Sequence, residues 1–207
     1  MSSIIKVRVR VRNDDVLVGS SSWPDPFKRF SQIHRWIIDA SAHMIHVPAI
    51  LTEEIQAFPQ CIEYIKGEAK AGRMVPELHG FHHEIDYRTR SYKDCCEDLE
   101  KAIGWMVTNI GVTPTVWYTP RCADHPNMRE AANKFNLQFV ASFMNKLEGR
   151  YGVVQRLRDK APIEFLDGIE ISCHWWSSGL RLKRVIEAVK CGSWLEASKQ
   201  NRELFND

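Results

Sequence analysis

From Ile4 to Arg12 the chain alternates: Ile5, Val7, Val9 and Val11 against Lys6, Arg8, Arg10 and Arg12. A period of two marks a strand with one buried face, and this one ends at Asn13-Asp14-Asp15. After the Trp23-Pro24-Asp25-Pro26 turn the period changes. Phe27, Phe30, Ile33 and Ile37 have helical spacing and predict a helix over 27–42. Met44 to Val47 reads as a short buried strand. Thr52 is a good N-cap for a helix from Glu53 to about Ala71, with Glu53 and Glu54 near its positive end and Gly72 past its last turn. Strand and helix then keep alternating. Strands are predicted at 77–81, 115–118, 139–143 and 169–173, and helices at 91–109, 126–135, 180–190 and about 193–204, with a loop over 149–162. Such repetition predicts a parallel α/β sheet or barrel with helices outside. No linker or repeat interrupts it, so one domain over 1–207 is expected.

Composition narrows the function classes. The chain has 207 residues, 44% hydrophobic and 26% charged, with a net charge of +2. That is an ordinary globular composition without a global signal for polyanions. The basic alternation at 6–12 is explained as the solvent side of a strand, so no nucleic-acid partner is expected. No apolar run is long enough to span a membrane and no signal-peptide pattern opens the chain; a cytoplasmic location is expected. The cysteines, Cys61, Cys95, Cys96, Cys122, Cys173 and Cys191, show no Cys-x-x-Cys pair and read as reduced packing residues. Nothing here fixes the oligomeric state.

The chemistry sits where predicted strands end. Asp14 and Asp15 follow the first strand, His79 and His83 the third, Arg121 the fourth, and His174 the last. In a parallel barrel these ends converge on one mouth. Two imidazoles and one carboxylate make a three-ligand metal site with open positions, as hydrolytic zinc requires. A second carboxylate supplies a base and a distant histidine an acid. These are the parts of a metal-assisted amide or ester hydrolase. Plainer roles exist for each. Asp14 and Asp15 suit a turn cap, His82 reads as a bystander, and Glu84 and Asp86 as solvated groups or orienters of an imidazole.

The ordered series Asn13-Asp14-Asp15, His79-x-x-x-His83, Thr119-Pro120-Arg121 and Ile171-Ser172-Cys173-His174 resembles the polysaccharide deacetylase, or NodB-homology, family. The resemblance covers roughly Ile4 to Trp176. It implies a distorted (β/α) barrel, mostly parallel with outer helices. It also implies a divalent metal, most often Zn2+, and removal of an acetyl group from an N- or O-acetylated sugar. Residue by residue it implies Asp14 as base, Asp15, His79 and His83 as metal ligands, and His174 as acid. Trp23, Pro120, Trp175 and Trp176 are candidate substrate contacts, the tryptophans because aromatic faces pack on sugar rings.

The sequence also departs from the family pattern. Asp14-Asp15-Val16-Leu17 replaces the usual Asp-Asp-Gly-Pro. The histidine motif reads His-Gly-Phe-His-His. The family's Arg-x-Pro, whose arginine orients the base, is here Thr119-Pro120-Arg121, leaving Arg121 as the candidate for that role. Two other readings stay open. One is a C–N hydrolase acting on a small amide or cyclic ureide. The other is a catalytically silent sugar- or protein-binding module on the same fold.

Overall fold

The computed structural model describes residues 5–17, 24–40, 44–141 and 163–174, with 5–9 and 163–174 described by backbone alone. In chain order the elements are β1 (Ile5–Asp14), α1 (Pro26–Ile38), β2 (Met44–Leu51), α2 (Pro59–Lys70), β3 (Glu77–Gly80), α3 (Tyr92–Asn109), β4 (Val116–Tyr118), α4 (Pro126–Lys134), β5 (Gln138–Val140) and β6 (Ile163–His174). The alternation expected from the pattern is present. The helices expected at 180–190 and 193–204 and the loop at 149–162 lie outside the described residues, as do Trp23, Trp175 and Trp176.

Local chemistry explains most of the boundaries. Asp25 caps α1, its Oδ1 accepting from the Lys28 N–H at 2.8 Å, with Pro26 in the first turn. The helix expected from Glu53 starts later. Thr52 and Glu53 still extend the β2–β3 ladder, their N–H groups donating to the carbonyls of Gly80 and Phe81. A 3-10 turn follows at Glu54–Ala57, and Pro59 opens α2. The pre-proline position resists helical geometry, so the chain breaks at Phe58. Ser91 and Asp94 form a reciprocal capping box at the start of α3. His125 caps α4, its Nδ1 accepting from the Asn127 N–H at 3.3 Å.

The described chain divides into two compact units. One contains β1 up to Asn13, the end of α1 from Gln32, β2 up to Val47, and β6; in it β1 lies between β2 and β6. Val11, Ile33, Ile37 and Val47 are almost fully buried, and so are His34 and His46.

The other unit comprises Asp14–Ser31 and Pro48–Ala141. Its strands run in the order β5-β4-β3-β2, and each neighbouring pair is parallel. Ile50, Leu51, Ile65, Leu78, Leu99, Met106 and Trp117 form its core. Each such side chain contributes about 1.5–3 kcal/mol when fully buried. Tyr64 of α2 packs edge-on against Phe27 and Phe30 of α1, with ring centroids 5.6 and 6.3 Å apart. Glu77, 2% exposed, is satisfied by the Thr115 and Val116 N–H groups and the Thr115 hydroxyl. A buried carboxylate thereby fixes the start of β4 against β3.

Candidate metal centre

Asp15 lies just past β1, His79 inside β3, and His83 in the loop that follows. The register between β2 and β3 explains how His79 is presented. Ala49 pairs with Glu77 and Ile50 with Leu78, but Leu51 pairs with Gly80. His79 is therefore the extra residue of an irregularity in the ladder, a device that re-aims side chains beside active sites. Its carbonyl is not left unpaired, because the Trp117 indole N–H donates to it at 3.1 Å.

Gly80 is the next requirement. Its φ is 157°, and a Cβ there would stand 3.2 Å from the Tyr87 hydroxyl and 3.3 Å from Cγ of Pro120. The glycine of the His-Gly-Phe-His-His run thus lets two loops close over the strand end. Pro120 is buried and supplies one side of that contact, a packing position.

Asp15, His79 and His83 each direct one donor atom to a common point, with all three atoms within 4.8 Å of one another. Oδ1 of Asp15 is 2.8 Å from Nε2 of His79 and 3.3 Å from Nε2 of His83. Nδ1 of His79 is 2.6 Å from the Tyr118 carbonyl oxygen. A carbonyl only accepts, so this nitrogen carries the proton. Nε2 then offers a lone pair toward a carboxylate oxygen. Two electron-rich atoms at that distance need a cation between them, either a second proton or a metal ion. His83 repeats the arrangement, with Nδ1 3.4 Å from Oε1 of Glu84. Tetrahedral zinc with nitrogen and oxygen donors spaces them roughly 3.4 Å apart, which Asp15 and His83 match at 3.3 Å; Asp15 and His79, at the 2.8 Å of a hydrogen bond, would open slightly to admit it. The residues fit a divalent metal.

The electrostatics point the same way. Burial raises the Asp15 carboxyl, but hydrogen bonds from His79 and His83, and their charges, outweigh it and hold the group well below the usual carboxylate range. Hydrogen bonding to Asp15 raises His83 above its ordinary value, against the opposing effect of burial.

Asp14, the expected base, ends β1 and is 1% exposed. Arg121 was expected to orient that base. The ion pair it makes is with Glu84 instead, Nη2 to Oε2 at 2.7 Å. Arg121 and Cys122 both have left-handed φ values, 54° and 50°, a conformation costing about 1–2 kcal/mol per non-glycine residue. His82 turns from the donor cluster. Its Nδ1 accepts from the Glu84 N–H at 3.0 Å and lies 3.7 Å from Glu54. His174 ends β6 as expected; its side chain lies outside the described residues.

Two contributors were not assigned roles from sequence, and a third was given one only in outline. The Tyr118 carbonyl orients His79. Oε1 of Glu54 accepts from the His83 backbone N–H at 2.8 Å. Glu84, weighed only as solvated or as an imidazole orienter, sits against His83. A backbone carbonyl leaves no sequence signal, whereas the acidic pair beside the expected cap at Thr52 was a visible one.

No family model matches the chain, and neither does any curated protein. Solved structures do match it. A CE4 family pseudoenzyme from Bacillus anthracis, BA3943, superposes with a TM-score of 0.58 at 12% identity, over 98% of this chain and 63% of its own. The peptidoglycan deacetylase PdaC from Bacillus subtilis gives 0.57 at 17% identity, over 98% and 94%. A family 4 carbohydrate esterase from Streptomyces lividans, in complex with acetate, gives 0.55 at 11%, over 94% and 86%. This chain thus spans less than two thirds of BA3943. The fold is the deacetylase-type α/β fold that the motif series implied, carried by a strongly divergent sequence. Among the described residues no helix is long and apolar enough to cross a membrane.

Proposed function

We propose that this chain is a metal-dependent deacetylase acting on an N- or O-acetylated sugar or related acetamido compound. Asp15, His79 and His83 would hold one divalent ion, and the two-nitrogen, one-oxygen donor set favours zinc. When bound, the ion would polarise the acetyl carbonyl and make a water more acidic. Asp14 accepts a proton from the attacking water as its oxygen bonds to the acyl carbon. His174 protonates the departing nitrogen or oxygen as the bond to the acyl carbon breaks, releasing acetate. Trp23, Trp175 and Trp176 are proposed to flank the sugar. The observation that carries the proposal is the single Asp15 oxygen facing two Nε2 atoms whose opposite ring nitrogens already have acceptors. A cytoplasmic substrate is part of this reading. Cys61, Cys95, Cys96 and Cys122 are free thiols, which suits a reducing compartment.

The test is acetate release from a panel of N- and O-acetylated sugars, with cyclic ureides included, by zinc-loaded protein. Asp14→Asn should lower turnover by about 10²-fold or more while leaving zinc stoichiometry intact. Turnover unchanged by that substitution would remove the base assignment. A second reading, a silent binding module, is favoured by the engagement of Arg121 with Glu84 and by the likeness to a fold described as a pseudoenzyme. It expects stoichiometric zinc with no acetate release across the panel.

A further inference from the structure

The two candidate histidine ligands are held in different ways. His79 is 2% exposed and has a main-chain carbonyl behind it. His83 sits on an irregular loop, its side chain 19% exposed. A loop residue with a rotatable ring needs other restraints to present one nitrogen to a metal. Two acidic residues provide them. Glu54 takes the His83 backbone N–H at 2.8 Å, which fixes where the residue stands. Glu84 faces Nδ1 at 3.4 Å with Oε1, which addresses the ring itself.

Glu84 is 70% exposed and adjacent in sequence to the residue it faces, so its own rotamer needs fixing. Arg121 does this from another loop. Its guanidinium donates to Oε2 at 2.7 Å while Oε1 remains directed at His83. Arg121 reaches that point from two consecutive left-handed residues after β4. The turn itself is closed by the Thr119 hydroxyl donating to the Ala123 carbonyl at 2.7 Å. An exposed ion pair adds little to folding, so the consequence of the Arg121–Glu84 pair lies in where it holds the Glu84 carboxylate. A carboxylate behind a metal-bound imidazole fixes the ring, selects the Nδ1–H tautomer and raises the basicity of Nε2.

We propose that Glu84, braced by Arg121, is a positioning residue that holds His83 in its metal-binding tautomer and orientation. The proposal rests on Asp15, His79 and His83 being the metal ligands. Arg121 then serves the metal side of the reaction.

The experiment measures Zn2+ affinity by competition with a chromophoric chelator, and records the d–d spectrum of the Co2+-loaded protein. The proteins are wild type, Glu84→Ala, Glu84→Gln, Arg121→Ala, the Glu84→Ala/Arg121→Ala double variant, and Arg88→Ala. Arg88 is the control because it pairs with Asp86 on the same loop. Glu84→Ala should weaken Zn2+ binding by about 10- to 100-fold and alter the Co2+ spectrum. Glu84→Gln, which keeps an acceptor oxygen, should recover part of the loss. Arg121→Ala should lose less than Glu84→Ala, and the double variant no more than Glu84→Ala alone. Arg88→Ala should match wild type. Thermal melting of the metal-free proteins should be nearly unchanged, as expected for exposed side chains. Wild-type affinity in Glu84→Ala, or an Arg121 loss that adds in full to the Glu84 loss, would overturn the proposal. Wild-type protein that binds no Zn2+ would instead overturn the ligand assignment beneath it.

Discussion

Two pairs of histidines in this chain are placed to opposite effect. His79 and His83 converge on Asp15. His34 and His46 face each other, Nδ1 to Nδ1 at 3.2 Å, and both are fully buried. At that distance one ring donates and the other accepts, an arrangement that requires a neutral acceptor. Burial, and the charge His34 would carry, push His46 well below the ordinary histidine value. His83 is raised. The difference teaches that histidine content alone says little: a hydrogen bond to a carboxylate raises His83, whereas full burial lowers His46.

The strongest way to break the comparison is to remove the carboxylate. Asp15→Ala leaves the first pair without the carboxylate on which both rings converge. Zn2+ binding measured by chelator competition should weaken by more than the roughly 100-fold typical of losing an outer partner. Binding within tenfold of wild type would mean that Asp15 is no ligand.

A smaller effect is expected from Gly80→Ala, which tests the strand irregularity that only the first pair uses. A methyl group at that φ, 3.2 Å from the Tyr87 oxygen, should cost about 1–3 kcal/mol, read as a lower denaturation midpoint in urea. It should also weaken zinc binding through displacement of His79. Unchanged stability would show that the loop relaxes freely.

The gentlest probe is pH. With the folded value of His46 depressed, the unfolded chain binds more protons below its ordinary value of 6.5. This part of the stability is complete above about pH 6.5 and is lost as pH falls below it. The slope is at most about 1.4 kcal/mol per pH unit for one proton. In metal-free protein His83 has the opposite sign: its raised value adds stability at low pH that fades as pH rises through the folded value. Urea unfolding between pH 5 and 8 should therefore flatten in His46→Gln and steepen in His83→Gln. The same change of slope in both would end the comparison.

Much of this architecture was readable in advance, for identifiable reasons. Alternation at 5–12 and helical spacing at 27–37 predicted a strand and a helix, and both formed, but Arg12, expected on the solvent side of β1, is 2% exposed. Asp15, His79 and His83 were legible because they close or follow predicted strands in the order of a known motif series, though what restrains the His83 loop was not. The helix placed from Glu53 began late because Thr52 and Glu53 still serve the ladder and Pro59 resets the start. The His34–His46 pair left only a faint trace, a histidine within the apolar face of α1. The partner of Arg121 was not readable at all. The arginine leaves the chain within a pair of left-handed residues, and neither arginine nor cysteine announces that conformation.

The unmatched residue in β3 has one more consequence. Because Leu51 pairs with Gly80 rather than with His79, the site depends on chain length as much as on residue type. A protein one residue shorter at this point would have a more regular sheet, and with it a blank strand end. For anyone moving this centre to another scaffold, the unit to transplant is the spacing from Glu77 to Phe81, with its mismatch against β2, and not the two histidines alone.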